Sequence, residues 1–162
     1  MTFLKVLFRV NCFFKLIFFK LIYGDKISFG RNVTFRKQFS LVIDGKNAKV
    51  NIGDNVFFNN FCTIAAMENI TIGKNTIFGE NVKIYDHNHL YKDINIPIKN
   101  QGYSTSKIII GENCWIASNV MILKGVTIGN HVVIGAGNTV YKDVPENSVL
   151  LSKHDQILKS IL

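Results

Sequence analysis

The residues with most capacity for chemistry lie in one short tract, Ile84-Tyr85-Asp86-His87-Asn88-His89. Two of the four histidines of the chain stand there, two residues apart and directly behind a carboxylate. A histidine with an unperturbed pKa of about 6.5 can accept a proton near neutrality. A neighbouring aspartate would orient the ring or stabilise its protonated form. Asp86 and His87 are therefore a candidate base pair, with His89 as a rival; two inert surface histidines are the plain alternative. A third possibility is metal binding, with His87 and His89 as two ligands and His131 as another. No regular third ligand lies near the pair, so no metal is expected.

The elements that must position these residues are legible from residue 110 onward, where the chain divides into sixes: IGENCW, IASNVM, ILKGVT, IGNHVV, IGAGNT, VYKDVP. First positions are Ile110, Ile116, Ile122, Ile128, Ile134 and Val140; fifth positions are small or medium-sized, from Cys114 to Val144. An amphipathic helix would repeat every 3.6 residues and a simple strand every 2. A period of six instead marks a hexapeptide parallel β-helix, in which three hexads, about 18 residues, make one coil. Coils stack at about 4.8 Å, and the first-position aliphatics form ladders through a dry interior.

The same phase runs through the hexads that begin at Ile52, Phe58, Ile64, Ile72, Phe78 and Ile84, and more weakly from Phe29. The step from Ile52 to Ile72 carries two extra residues. Cys62 and Cys114 fall on fifth positions and read as core fillers. After Ile84 the period fails through LYKDINIPIKNQGYSTSK. Long excursions from a rigid scaffold are usually functional, and His87 and His89 stand at the root of this one.

The expected fold class is all-β. A parallel β-helix spans 25–147, with one protruding loop over about 85–107. A basic amphipathic helix over 1–24 precedes it, and a tail with a short helix over 148–162 follows. A length of 162 residues suits one domain. Three scattered cysteines without a CxxC pair argue against a disulfide framework and for a reducing, cytoplasmic setting. A net charge of +8 points to an anionic partner. In MTFLKVLFRVNCFFKLIFFKLIY the cations Lys5, Arg9, Lys15 and Lys20 interrupt every apolar run, which excludes a membrane span and a secretory signal. Such a helix packs on the scaffold or on a neighbouring subunit, or lies on anionic lipid at the inner face of the cytoplasmic membrane.

The hexads, together with DHNHLYKD, IPIKNQ and IIIGENCWIASNVMILKGVTIGNHVVIGAGNTVYKDVPENSV, resemble the hexapeptide-repeat acetyltransferases over roughly residues 26–150. The nearest branch is the O-acetyltransferases of capsule, exopolysaccharide and lipopolysaccharide sugars, of the colanic-acid type. The resemblance implies a left-handed coil and a homotrimer with acetyl-CoA bound between subunits; no nucleic acid is implied. It further implies direct transfer of the acetyl group to a sugar hydroxyl by a histidine base. The motif points to His87, while the hexad offset used in several relatives falls on His89.

Asn59 matches an asparagine that positions the acceptor hydroxyl, with Asn60 as its substitute. Ser118 matches the donor to the thioester oxygen, and Trp115, Ala117, Ala136 and Lys142 match the cofactor track. Amino-sugar N-acetylation, a non-catalytic hexapeptide scaffold and a zinc hydratase of the hexapeptide carbonic anhydrase type are the other readings. One departure concerns the tail. Ser152, Lys153, His154, Asp155 and Gln156 stand where relatives carry Gly-Asn-Pro-Ala-Lys. That departure places recognition of the adenine end of the cofactor in question.

Overall fold

The computed structural model describes residues 3–152. Its body is a left-handed parallel β-helix of about six turns, and a helix, α1 (Phe3–Tyr23), lies across the first coil. Three parallel sheets make a triangular prism. The first face stacks Ile27–Phe29, Lys49–Ile52, Asn69–Ile72, Ile108–Ile110 and Thr127–Ile128. The second stacks Thr34–Phe35, Phe57–Phe58, Ile77–Phe78, Trp115–Ile116, Val133–Ile134 and Val149–Leu150. The third stacks Ser40–Ile43, Thr63–Ala66, Lys83–Tyr85, Met121–Ile122 and Thr139–Val140.

The hexad reading holds residue by residue. Every first-position aliphatic from Ile110 to Val140 is buried, as are the fifth-position residues Cys114, Val120, Val126, Val132, Asn138 and Val144. On the second face the ladder begins with aromatic rings. Phe39 bridges Phe35 and Phe58 at 4.8 and 4.9 Å between centroids, and Phe58 stacks on Phe78 at 4.6 Å. The polar fifth positions are satisfied internally: the Thr76 hydroxyl donates to Gly111 O at 2.9 Å and accepts from Cys114 N at 3.1 Å, and the Asn138 amide donates to Gly135 O at 2.7 Å.

The edge between the first and second faces turns on left-handed residues. Asn32, Asn55, Asn75, Asn113, His131 and Asn147 occupy equivalent positions with φ between 55° and 59°. Asparagine tolerates that conformation better than other side chains. Its amides also link coil to coil, Asn32 to Asn55 and Asn55 to Asn75, each at 3.0 Å. His131 is thus a turn residue on a different edge from His87 and His89, so one chain does not bring the three histidines together.

All variation in coil length is confined to the edge between the third and first faces. Successive partners on the first face are separated by 23 residues (Ile27 to Val50), 20 (Val50 to Ile70), 38 (Ile70 to Ile108) and 18 (Ile109 to Thr127). A final bridge spans 16 (Ile128 to Val144). The other two edges keep the same length in every coil, so insertions enter only where no side-chain ladder fixes the turn. The longest insertion, expected as an irregular loop, is instead an ordered antiparallel ribbon at its base. His87–His89 pairs with Tyr103–Thr105, and the Gln101 amide braces the tip on Asp93 O and Ile96 O, both at 2.8 Å.

α1 buries a stripe one residue wide, Cys12, Leu16, Phe19 and Tyr23, over the open end of the core. Phe19 meets Phe35 and Phe39 edge-on at 6.0 and 5.9 Å, and the Tyr23 hydroxyl donates to Leu41 O at 2.8 Å. Among the described residues no helix is long and apolar enough to cross a membrane. The short helix expected from Ile157, Leu158, Ile161 and Leu162 lies outside the described residues.

Candidate active site

Asp86 occupies the edge from which the ribbon leaves, and it is fully buried. Three donors converge on its carboxylate. Met67 N donates to Oδ1 at 2.7 Å, Glu68 N to Oδ2 at 2.8 Å, and His87 Nδ1 lies 3.2 Å from Oδ1. The main chain of Asp86 also accepts from Ser106 N at 2.9 Å, closing the far strand of the ribbon onto the prism. A buried charge needs such partners to be tolerated. An ionised carboxylate can only accept, so the proton of a neutral His87 ring sits on Nδ1 and Nε2 keeps its lone pair.

His87 is held on its other sides by rings. Tyr103 packs edge-on at 5.5 Å and Tyr85 at 6.4 Å, leaving the imidazole 20% exposed. His89 is different. It is exposed and stacks obliquely on Tyr103 at 4.4 Å, and among the described residues no carboxylate bonds its ring. Tyr103 was not among the residues singled out from sequence. Its role depends on antiparallel pairing with His89 across a 14-residue span, which the six-residue period does not report.

Asn59, Ala117, Ser118 and Ala136 lie together along a different edge, between the second and third faces. Here the amide N–H at the third position of a hexad is met by a side-chain oxygen, at Lys37 and Glu80 from the third position of the next coil and at Asn60 from the adjacent Asn59. Lys37 N donates to Asn60 Oδ1 at 3.1 Å and Glu80 N to Ser118 Oγ at 3.1 Å. The neighbouring edge does the same, with Glu112 N donating to Asn130 Oδ1 at 2.8 Å. Below Ser118 stands Ala136, which has no oxygen to offer. Among the described residues, the Ser118 N–H has no hydrogen-bond acceptor, and Ser118 is half-buried.

The same ladder separates the two asparagines. Asn60 is consumed, accepting from Lys37 N and donating to Glu80 Oε1 at 2.9 Å. Asn59 accepts from Asn60 N at 2.9 Å, and its amide NH2 has no acceptor among the described residues. Trp115 stands outward on the second face, 51% exposed, between Ile77 and Val133. Lys142 does not share the Ala136 edge. It lies exposed on the His87 edge, two coils beyond Asp86, with its ammonium 5.8 Å from the Tyr141 ring. One chain therefore carries the candidate residues in two groups, on opposite sides of the third face.

Both thiols inside the coil are inert by environment: burial pushes the Cys62 and Cys114 thiols up.

The family described as bacterial transferase hexapeptide (six repeats) matches residues 107–142. WbbJ of Escherichia coli, named for an O-acetyl transfer step in lipopolysaccharide biosynthesis, is 35% identical over 82% of this chain and 71% of its own length. The chain belongs to the hexapeptide-repeat acetyltransferases. A maltose O-acetyltransferase from Clostridium difficile is 30% identical, covers 91% of this chain and 83% of its own, and superposes with a TM-score of 0.64. A hexapeptide-repeat acetyltransferase from Vibrio cholerae, complexed with acetyl coenzyme A, shares the fold at 24% identity and a TM-score of 0.67 over 88% of this chain and 75% of its own. Against the galactoside O-acetyltransferases, this acetyltransferase spans just over half of the longer proteins.

Proposed function

We propose that this acetyltransferase moves the acetyl group of acetyl-CoA to a hydroxyl of a bacterial surface polysaccharide, a capsule or lipopolysaccharide sugar. The reading rests on the Asp86–His87 pair, in which a buried carboxylate with three donors leaves His87 Nε2 as a free base. Nε2 takes the hydroxyl proton as the sugar oxygen attacks the thioester carbonyl carbon. Negative charge gathers on the carbonyl oxygen, and the unpartnered Ser118 N–H is a preformed donor for it; one such donor is worth about 2.7–4 kcal/mol. Collapse breaks the C–S bond, and the sulfur leaves with the proton carried by His87. The Asn59 amide would hold the acceptor hydroxyl. Trp115, Ala117, Ala136 and Lys142 would line the path of the cofactor.

The two groups of residues lie on different edges, and a homotrimer would set the His87 edge of one subunit against the Ser118 edge of the next. The net charge of +8 suits an anionic cofactor or glycan. Peripheral contact of α1 with the inner face of the cytoplasmic membrane would keep such a site beside lipid-borne saccharides.

Thiol release from acetyl-CoA in the presence of a panel of sugars tests the assignment. His87→Ala abolishes turnover, whereas His89→Ala retains most of it; the reverse order transfers the role to His89. Mild alkali strips the acetyl group from an ester product and leaves an amide, which separates hydroxyl from amino acceptors.

A further inference from the structure

α1 has two apolar faces, and only one is covered. The stripe of Cys12, Leu16, Phe19 and Tyr23 faces the prism. On the opposite side, at about 100° per residue, Val10, Phe14, Ile17 and Leu21 point away from the protein, flanked by Leu7, Phe13 and Phe18. Phe14 is 64% and Leu21 80% exposed, and no polar side chain interrupts this outer surface. Contiguous exposed apolar area of this kind marks an interaction surface. Arg9, Lys15 and Lys20 sit on the inner side. Lys15 Nζ donates to Arg36 O at 3.3 Å, and Lys20 Nζ donates to Gly24 O and Ile27 O at 2.8 and 3.1 Å.

Between α1 and the first two coils lies an open cleft of about 1650 Å³. Four cations line it, Arg9, Lys15, Arg36 and Lys37, beside Phe8 and Phe57, and no acidic residue does. The Arg36 guanidinium lies 5.8 Å from the Phe57 ring centre. Apolar side chains on the outer surface and cations set one helix radius behind them match the section of an anionic bilayer, with acyl chains outside and phosphates at the depth of the cleft. A second copy packed on the same face would bring its own basic cleft against this one, and like charges would oppose it.

We infer that α1 lies in the surface of an anionic lipid bilayer, its outer face among the acyl chains and the cleft holding lipid phosphate groups. The full-length protein is floated with vesicles of phosphatidylcholine alone and of phosphatidylcholine mixed with phosphatidylglycerol. Wild type partitions onto the mixed vesicles and loses affinity as salt rises. Arg36→Gln/Lys37→Gln weakens binding to mixed vesicles by about fivefold per cation removed. Phe14→Ser/Leu21→Ser abolishes binding while circular dichroism and melting stay native, since both side chains are exposed.

Three results overturn the inference. One is wild type that ignores the mixed vesicles. Another is Phe14→Ser/Leu21→Ser lowering the solution mass in light scattering without affecting lipid binding, which would make the face a contact between copies. The last is inorganic phosphate raising the melting temperature through Arg36 and Lys37 without vesicle binding, which would make the cleft a site for free phosphate.

Discussion

Asp86→Asn separates what the buried carboxylate does for the fold from what it does for His87. The carboxylate has two oxygens and three donors: Met67 N, Glu68 N and the His87 ring. An asparagine supplies one oxygen, which at the Oδ1 position keeps Met67 N and His87 but turns an NH2 toward Glu68 N. One charge-assisted hydrogen bond is lost, worth about 1.5–3 kcal/mol. For a chain of this size the melting temperature falls by roughly 3–12 °C.

The catalytic loss is a separate quantity. An imidazolium and a carboxylate 3.2 Å apart attract by about 5 kcal/mol at an effective dielectric of 20. A neutral acceptor retains about half the strength of an ionised one. Turnover therefore falls about 30–100-fold, from a barrier raised by roughly 2.5 kcal/mol. Thermal melting and thiol release from acetyl-CoA measure the two effects on the same preparation. A variant that melts lower yet turns over within twofold of wild type would refute the orienting role, leaving Asp86 as a clamp for residues 67 and 68 alone.

Other perturbations address other parts of the molecule. Ala136→Asn supplies the acceptor that the ladder lacks below Ser118, so it raises stability by about 0.5–1.5 kcal/mol while cutting kcat about a hundredfold. Ala136→Val, which adds bulk without an acceptor, is the control, and equal losses in both variants would remove the Ser118 N–H from the mechanism. Asp54 accepts from Arg31 N at 2.7 Å and from the Arg31 side chain, which holds its carboxyl below the ordinary carboxylate value. Its folded pKa lies under its unfolded one, so its stabilisation is complete above about pH 4 and disappears as pH falls through the folded value. The melting-temperature deficit of Asp54→Asn should accordingly be present at neutral pH and vanish in acid. Cys12, Cys62 and Cys114 are all buried, so mass spectrometry after alkylation should show labelling only at the rate of unfolding.

The prism was legible in the sequence because its core is one-dimensional. Ile110, Ile116, Ile122, Ile128, Ile134 and Val140 each fill the same slot, and a repeated slot writes a period into the chain. The contact between Asp86 and His87 was legible because the two are adjacent and stand where that period stops. The ribbon was not, since the pairing of His89 with Tyr103 is antiparallel and local to the insertion, governed by cross-strand contacts with no fixed spacing. The division of labour between Asn59 and Asn60 was also hidden. Both are plausible donors in sequence, and only the coil-to-coil ladder shows that Lys37 N and Glu80 consume Asn60. The free Ser118 N–H was readable in principle, because Ala136 follows it by one regular coil of 18 residues. It becomes a chemical statement once the neighbouring third positions are seen to be satisfied by side chains.

The edges of the prism decide whether one chain can act alone. His87 lies on the edge where the third face meets the first, and Ser118 lies where the second meets the third, with Lys83–Tyr85 and Met121–Ile122 spanning the face between them. A hydroxyl deprotonated at one edge cannot attack a carbonyl held at the other edge of the same chain. A site within one chain and a site shared between chains predict different behaviour when two defective proteins are mixed. One chain carries His87→Ala, and the other carries Asn59→Ala with Ala136→Asn on the Ser118 edge. Each alone is crippled. In a closed three-fold assembly formed at random from equal amounts, a shared site is intact when the first chain supplies the Ser118 edge and the second supplies the His87 edge. That combination occurs at about a quarter of the sites. Co-refolded mixtures should therefore regain about a quarter of wild-type turnover, whereas proteins refolded separately and then combined should regain none. Activity that stays at the level of the separate variants after co-refolding would place the whole reaction within one chain, and the placement of His87 against Ser118 would then need a different route.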